Sequence, residues 1–183
     1  MRVRWLFLPV LGAALAHAPV LRFDLLRALK QPIDSGATFR GRRLFGENKT
    51  WRGAATMFCG VFAATLLAWR SDWYRRRLPD ELQQARPRTV GAVLGGSVVI
   101  GELPNSFLKR QLDIVPGGHM RSAAGVVISL FDQTDFVLAA WLLLRPVYRM
   151  SSREVIDASL TVTAVHLPIN VIGYVLGARS TAI

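Results

Sequence analysis

The 183-residue sequence has a single cysteine, few acidic residues and no tract of low complexity. One cysteine excludes a disulfide-stapled secreted domain, and Cys59, which lies within an apolar run, is expected to be buried. Charged residues make up 19% of the chain, where roughly 25% is usual for soluble domains. A hydrophobic fraction of 51% excludes intrinsic disorder. Because neither a repeat nor a flexible linker divides the chain, we expect one domain over residues 1–183.

Hydrophobic residues are concentrated in five stretches that carry few charges. Each is close to the roughly 20 residues that a helix needs to cross about 30 Å of hydrocarbon. The pattern predicts an all-α membrane protein with about five transmembrane helices in one bundle, embedded in the cell or inner membrane. The stretches are residues 5–21, 53–69, 89–103, 123–144 and 158–178.

The amino-terminal stretch has a second interpretation. Arg2 and Arg4 precede a short apolar run and then Ala16-His17-Ala18, which is the pattern of a cleaved signal peptide. The apolar run continues beyond these residues into a basic segment, so an uncleaved first helix is the simpler interpretation. Lysine and arginine do not decide the orientation, because the two alternating sets of loops carry 12 and 11 of them.

Three carboxylates lie inside or at the end of apolar stretches. Glu102 ends the third stretch, and Asp132 and Asp135 interrupt the fourth, where each costs at least about 2.5 kcal/mol on insertion scales. Asp132 and Asp135 share a helix face, and two acids this close repel unless a cation or proton lies between them. A structural pair with a lysine or arginine of a neighbouring helix is the alternative interpretation.

Glu102 begins a polar stripe. Asn105, Ser106 and Lys109 follow it at helical spacing, so the four share one face if the helix continues through Pro104. If Pro104 instead breaks the helix, backbone groups are freed beside the acid, which a membrane tolerates only where they are buried or line a wet cavity. Both arrangements indicate a functional site.

The loop over residues 31–52 combines cations with glycines. Glycine lets the backbone approach an anion closely, and guanidinium groups bind phosphate oxygens in pairs. The loop therefore predicts a phosphate site, although its Gly, Lys and Thr spacing does not match a Walker A motif. A solvated loop attracted to anionic lipids is the alternative. The cations are Arg40, Arg42, Arg43, Lys49 and Arg52.

His166 and Asn170 lie four residues apart on the last apolar stretch and share a helix face. A substrate-binding role is one interpretation of the pair. Polar side chains in membrane helices also often hydrogen-bond only to a neighbouring helix, so a structural role stays open.

Three motifs resemble those of the CDP-archaeol synthase family, which are small relatives of the CTP-dependent phosphatidate cytidylyltransferases. The resemblance covers most of the chain, and the length with five spans agrees with it. The motifs are GRRLFGENKTWRG from Gly41 to Gly53, NSFLKR from Asn105 to Arg110, and DQTDF from Asp132 to Phe136.

The resemblance implies a nucleotidyltransferase that transfers CMP from CTP to a lipid phosphate, releases pyrophosphate and makes a CDP-lipid for phospholipid biosynthesis. An archaeal ether lipid phosphate is the family default, and phosphatidate is the alternative. The family implies Mg²⁺ held by Glu102, Asp132 and Asp135, and a catalytic role for Lys109, Arg110, Asp132 and Asp135. The substrate-binding residues that it implies are Arg42, Arg43, Lys49, Thr50, Arg52, Gly53, Asn105, Ser106, His166 and Asn170.

This function also predicts partners and orientation. CTP, a lipid phosphate and membrane lipids are the expected partners, without nucleic acid, and a homodimer is expected on the resemblance alone. Because CTP is cytoplasmic, the loops with Lys49 and Lys109 are expected to face the cytoplasm. A small ion-coupled carrier and a scaffold that binds anionic lipids without catalysis are the alternatives, since both also use intramembrane acids or basic loops.

Overall fold

The structure, a computed structural model, describes residues 2–114 and 134–175, with the backbone alone for residues 166–175. Within these residues, seven α-helices and one short antiparallel hairpin follow a 3₁₀ segment at Val3–Val10, and a second 3₁₀ turn lies at Arg27–Leu29. The helices are α1 (Leu11–Arg22), α2 (Trp51–Ala68), α3 (Asp72–Arg75), α4 (Asp80–Gln84), α5 (Pro87–Gln111), α6 (Thr134–Leu143) and α7 (Ser152–Val175). The hairpin strands are β1 (Thr38–Phe39) and β2 (Arg42–Arg43).

The first apolar stretch is 3₁₀ helix up to Val10 and α-helix from Leu11, so it is not the single α-helix that the sequence predicts. Pro9 lies within the 3₁₀ part, where its missing N–H removes one α-helical hydrogen bond. Val3 and Leu6 are fully buried, and α7 packs against this segment. The stretch is therefore part of the packed bundle.

Helices α1 and α2 meet through small residues. A Cβ added at Gly12 would lie 2.6 Å from the Cβ of Ala64, and one added at Gly60 would lie 2.7 Å from the Cβ of Ala16. In each helix the two small residues are four positions apart, the spacing that lets membrane helices bring their backbones together. Helices α1 and α2 therefore pack at backbone distance.

Helix α5 packs on the opposite flank of α2 and runs unbroken through Pro104, as the continuous polar stripe requires. Its Gly95 lies against Phe58, whose carbonyl oxygen would be 2.9 Å from an added Cβ, and Gly91 lies against Phe62. Gly96 faces open space instead. Of Gly91, Gly95 and Gly96, the first two therefore mediate close packing against α2.

The second half of the bundle closes the core. Phe136 of α6 stacks edge-on against Phe7, with ring centroids 6.0 Å apart. Helix α7 begins with a capping box, in which the Ser151 N–H donates to Glu154 at 2.9 Å and the Glu154 N–H donates to the Ser151 hydroxyl at 3.4 Å. Burial and packing thus join the amino-terminal segment, α6 and α7 in one core.

Among the described residues, three helical segments are long and apolar enough to cross a membrane, namely Val3–Arg22, Trp51–Ala68 and Pro87–Gln111. Large apolar side chains such as Leu15 (76% exposed) and Leu67 (62%) face outward from them, as expected where lipid is the solvent. The protein is an all-α integral membrane protein, as predicted. Part of the fourth expected span and the end of the fifth lie outside the described residues.

Cys59 is exposed on α2, so its predicted burial is wrong, because an apolar run in lipid presents side chains outward too.

Charged loops lie at both ends of the bundle. At one end Arg2 pairs with Asp80, and the Arg77 guanidinium lies 3.7 Å from the ring centroid of Trp73. At the other end the loop over residues 31–52 meets the carboxyl end of α5, where Arg42 pairs with Asp113. The loop between α1 and α2 and the carboxyl end of α5 therefore lie at the same end of the bundle.

The close contact between α1 and α2 gives a test of the bundle. Gly60→Ala should lower the melting temperature in detergent, because overpacking costs about 1–3 kcal/mol and the added helix propensity returns only about 0.5–1 kcal/mol. For a chain of this size each kcal/mol corresponds to roughly 2–4 °C. Gly96→Ala is the matched control, since nothing lies within 4 Å of its added Cβ, and it should melt no lower than wild type. Equal melting temperatures for the two variants would contradict the packing argument.

Candidate active site

The glycine-rich loop is shaped by a tight hairpin. Strands β1 and β2 pair with Thr38 opposite Arg43 and Phe39 opposite Arg42, leaving a two-residue turn. Both turn residues have positive φ, +53° at Arg40 and +78° at Gly41, as a type I′ turn requires. The turn places Arg42 and Arg43 side by side, on alternate faces of the strand.

Asp34 organises this loop. Its side chain is fully buried and accepts hydrogen bonds from the amides of Gly36 (3.1 Å), Phe45 (3.0 Å) and Gly46 (3.1 Å), and from Arg43 at 2.5 Å. Burial alone would raise the pKa of Asp34, but these donors outweigh it and hold the pKa well below its usual range. The pairing correspondingly raises the pKa of Arg43. A single carboxylate thus fixes both halves of the loop.

Two arginines join the loop to α5. Arg42 donates to the Asp113 carboxylate at 2.5 Å and to the Gln111 carbonyl oxygen. The side chain of Arg110 lies over Gly46, whose added Cβ would meet the Arg110 Cδ at 3.3 Å. The Arg110 Nε–H is buried and, within the described residues, has no hydrogen-bond partner. A buried guanidinium N–H without an acceptor is suited to an anionic ligand.

An ion pair between Lys49 and Glu102 lies at the centre of the site. Each side chain is 30% exposed, so the pair is reachable from solution while still partly desolvated. Glu102 lies on α5, where Asn105 and Ser106 are buried on the next turn. The predicted stripe therefore meets the predicted phosphate loop, although the two are about 50 residues apart in sequence.

The start of α2 contributes further polar groups. Thr50 caps the helix by accepting a hydrogen bond from the Gly53 amide at 3.2 Å. Arg52, only 6% exposed, donates to the Asp24 carboxylate at 2.6 Å and to the Leu25 carbonyl oxygen at 3.2 Å. The hydrogen bond from Arg52 holds the pKa of Asp24 below its ordinary value. Thr50, Arg52 and Gly53 line a cleft of about 630 Å³ beside the loop.

The predicted acids of the fourth stretch are only partly described. Asp135, 5% exposed, begins α6, and its backbone lies against Gly101, the residue before Glu102. Its Oδ1 accepts the Phe136 N–H at 2.6 Å. Asp132 lies outside the described residues, as do the side chains of His166 and Asn170 on α7. Helix α6 therefore meets α5 at Gly101, next to Glu102, where the metal site is predicted.

Most of the predicted site residues are brought to one end of the bundle. Two of the loop's phosphate-binding candidates are already paired, because Arg42 binds Asp113 and Arg43 binds Asp34. The sequence pattern did not identify His17, which hydrogen-bonds to Thr56 and lines the cleft, or Lys30, which lines it as well. A polar residue within an apolar span is the signal that singles out His17.

The role of Asp34 is testable with a matched pair of variants. Asp34→Asn leaves Arg43 facing a neutral group and should cost about 3 kcal/mol, as breaking a buried ion pair does. Asp113→Asn, which removes the partner of Arg42 from a side chain 68% exposed, should cost at most about 1 kcal/mol. Melting temperatures in detergent compare the two, and equal losses would contradict the central role of Asp34.

The pH dependence of this difference follows from the depressed pKa of Asp34. A carboxylate whose pKa is lower in the folded protein stabilises it fully above the unfolded value, near 3.9, and less as pH falls further. The gap in melting temperature between wild type and Asp34→Asn should therefore be constant from about pH 7 to pH 5 and narrow below about pH 4. A gap that widened in acid would contradict this.

Comparison with known proteins places this geometry in a family. The model of the CarS-like CDP-archaeol synthase family matches residues 2–182. The CDP-archaeol synthase of Halobacterium salinarum is 34% identical over 158 residues, 81% of each chain, and that of Thermofilum pendens is 35% identical over 176 residues, 93% of this chain and 76% of the relative. A solved structure of an intramembrane enzyme for archaeal membrane lipid biosynthesis superposes with a TM-score of 0.66 at 27% identity, covering 91% of both chains. The resemblance carried by the three motifs is confirmed, and the chain belongs to the CDP-archaeol synthase family.

Proposed function

We propose that this protein is a CTP-dependent cytidylyltransferase that converts a membrane lipid phosphate to a CDP-lipid and releases pyrophosphate. The observation that carries the proposal is the Lys49–Glu102 ion pair, where the glycine-rich loop meets the polar stripe of α5. Family membership supports the same reaction, which makes the enzyme a nucleotidyltransferase of phospholipid biosynthesis. A carrier or a non-catalytic scaffold is not favoured by these comparisons.

The reaction itself needs charge and positioning. An oxygen of the lipid phosphate attacks the α-phosphorus of CTP, a new P–O bond forms, and the bond to pyrophosphate breaks. Two polyanions must approach each other, so cations aligned beforehand contribute most of the catalysis. Lys49, Lys109 and Arg110 are the groups to which we assign the phosphates. Arg110 is supported by its buried Nε–H, which has no acceptor among the described residues.

Arg42 and Arg43 have a second role in this proposal. Their carboxylate partners hold the loop against α5, so these arginines define the phosphate site and also contribute positive charge to it. Thr50, Arg52 and Gly53 form the adjoining wall at the start of α2. Asn105 and Ser106 on α5, and His166 and Asn170 on α7, are assigned to substrate binding from the family resemblance.

We assign Mg²⁺ to Glu102, Asp132 and Asp135. Within residues 2–114 and 134–175 no three His, Cys, Asp or Glu side chains are grouped to hold a metal by themselves. Such a donor set still suits Mg²⁺, which binds through one or two carboxylates together with substrate phosphates and keeps several waters. The contact of Asp135 with Gly101, next to Glu102, supports a shared site. When bound, the ion would neutralise phosphate oxygens; Lys49 meanwhile orients Glu102 and is placed to exchange that carboxylate for a phosphate.

Orientation and substrate follow from the same proposal. Because CTP is cytoplasmic, the end of the bundle with Lys49 and Glu102 faces the cytoplasm, and Arg2 lies at the opposite end with Asp80. The lipid phosphate of an archaeal ether lipid is the first candidate substrate, because relatives of this chain are CDP-archaeol synthases. Phosphatidate is the second candidate. A homodimer remains a prediction from the resemblance.

The reaction is tested directly. Purified protein in detergent, given CTP, Mg²⁺ and either an unsaturated archaeal ether lipid phosphate or phosphatidate, should form a CDP-lipid detectable by mass spectrometry and lost with EDTA. The lipid that reacts identifies the substrate class. Absence of product from every lipid, while a known synthase works in the same assay, would contradict the proposed function.

The central ion pair is tested by substitution. Glu102→Gln keeps the shape but removes the charge, and should lower kcat by at least about 100-fold, the scale for losing one preorganised electrostatic group. Lys49→Ala should raise the apparent KM for CTP, since it removes a phosphate ligand. Glu81→Gln on α4 is the matched control at the other end of the bundle and should leave both constants unchanged. A wild-type kcat for Glu102→Gln would show that the Glu102 carboxylate has no role in the mechanism.

A further inference from the structure

The cleft beside the glycine-rich loop is formed by three elements: the end of α1, the loop, and the start of α2. Its volume of about 630 Å³ is sufficient for a phosphorylated headgroup. The wall includes residues from all three elements, which makes it a built cavity between packed segments. Those the argument uses are His17, Leu21, Lys30, Arg43, Glu47 and Arg52.

The wall of the cleft carries three cations, Lys30, Arg43 and Arg52, and one acid, Glu47, whose side chain is 83% exposed. Arg43 pairs with Asp34. Lys30 and Arg52 share Asp24, so an anion in the cleft would bind the donors that these ion pairs leave unused. Arg52 is 6% exposed, and its Nε–H is buried without a hydrogen-bond partner in the part of the chain that the structure describes. Arg52 also lies in the first turn of the 18-residue helix α2, whose amino end attracts negative charge. The other side of the guanidinium donates to Asp24, and a phosphate in this cleft would provide the acceptor that the Arg52 Nε–H lacks.

His17 adds a hydrogen-bonding group from the first span. Its Nδ1 lies 2.8 Å from the Thr56 hydroxyl oxygen. The Thr56 hydroxyl also lies within donating distance of the carbonyl oxygens of Arg52 (2.9 Å) and Gly53 (3.1 Å), and with its hydrogen directed there it accepts from Nδ1–H. The ring is thereby fixed, and Nε2 is the nitrogen available to a ligand. One proton shared between Nε2 and a phosphate oxygen makes a hydrogen bond whichever atom carries it.

The cleft adjoins the membrane boundary. Leu21 in its wall is 53% exposed at the end of a membrane-spanning segment, and the chain that follows exposes Phe23, Leu25, Leu26 and Leu29. Apolar side chains next to Arg22, Arg27 and Lys30 form the pattern of a segment lying in the lipid headgroup region. A ligand entering across this segment comes from the bilayer, whereas Lys49 and Glu102 face the α5 side.

Resting on the proposed function, we propose that this cleft binds the phosphate of the lipid substrate, which enters across residues 21–29 and is held by Arg52, Lys30 and His17. Thr56 is a positioning residue that sets the imidazole of His17. CTP accordingly occupies the neighbouring region of Lys49 and Arg110. The two substrates meet where the loop lies between these two regions.

The assignment predicts a separation of kinetic constants. His17→Ala should raise KM for the lipid phosphate about tenfold, the scale for one hydrogen bond to a charged group, and leave KM for CTP unchanged. A rise in KM for CTP with the lipid constant unchanged would overturn the assignment by giving the cleft to the nucleotide. Unchanged constants for both substrates would overturn it too, because His17 would then serve packing alone.

A second set of variants guards against misfolding of His17→Ala. Thr56→Val should raise KM for the lipid phosphate in the same way, and Thr56→Ser should restore it, since serine also accepts from Nδ1. Thr65→Val is the matched control, because Thr65 also lies on α2 and its hydroxyl donates to the carbonyl oxygen of Val61 at 2.8 Å, within its own helix. An equal rise of KM in Thr65→Val and Thr56→Val would show a general packing effect and overturn the role of Thr56.

Binding without turnover separates this inference from the proposed function. A short-chain ether lipid phosphate, added without CTP, should raise the melting temperature of wild type and of Glu102→Gln, but much less that of His17→Ala, because a ligand of the folded state stabilises it by mass action. If wild type makes no CDP-lipid and still shows this pattern of melting temperatures, the proposed reaction is wrong, but the assignment of the cleft to the lipid phosphate is supported. If wild type turns over and His17→Ala binds the lipid normally, the cleft assignment alone fails.

Discussion

A carboxylate on a membrane-spanning helix has to be paired or hydrated, and Glu102 meets this condition by accepting a hydrogen bond from the Lys49 ammonium. Much else depends on that pairing. It draws the loop between α1 and α2 onto the side of α5, so that Arg110 comes to lie over Gly46 and Arg42 reaches Asp113. Each side chain of the pair is 30% exposed, so an incoming phosphate can reach the lysine and compete for it.

The same loop shows how a strongly basic surface can be held in a compact shape. The chain carries a net charge of +11, and arginines this close to one another repel. Asp34 reduces this repulsion, since its buried carboxylate pairs with Arg43 and accepts hydrogen bonds from three backbone amides. Positive charge then stays on the outside of the loop, where a triphosphate and a lipid phosphate can share it.

The sequence predicted the features that arise from local periodicity. Helical spacing alone put Glu102, Asn105 and Ser106 on one face, and α5 continues through Pro104 as that face requires. It could not predict which cation each acid would take, because the Asp34 cluster joins donors up to twelve residues away and the Lys49–Glu102 pair spans 53 positions. The sequence pattern also could not predict the 3₁₀ geometry before Leu11 or the exposure of the Cys59 side chain. Both depend on packing against other helices and on contact with lipid, and local sequence does not contain this information.

Helix α2 touches its neighbours at backbone distance on two flanks, through Gly60 against Gly12 on α1 and through Phe58 against Gly95 on α5. With contacts this tight, α2 cannot slide or rotate without breaking both helix interfaces. Helices α1, α2 and α5 thus form a rigid unit that holds the cleft and the ion pair at a fixed distance from each other. The conformational change that admits a bulky lipid and releases the larger product must therefore occur in the segments attached to this rigid unit, above all in the glycine-rich loop.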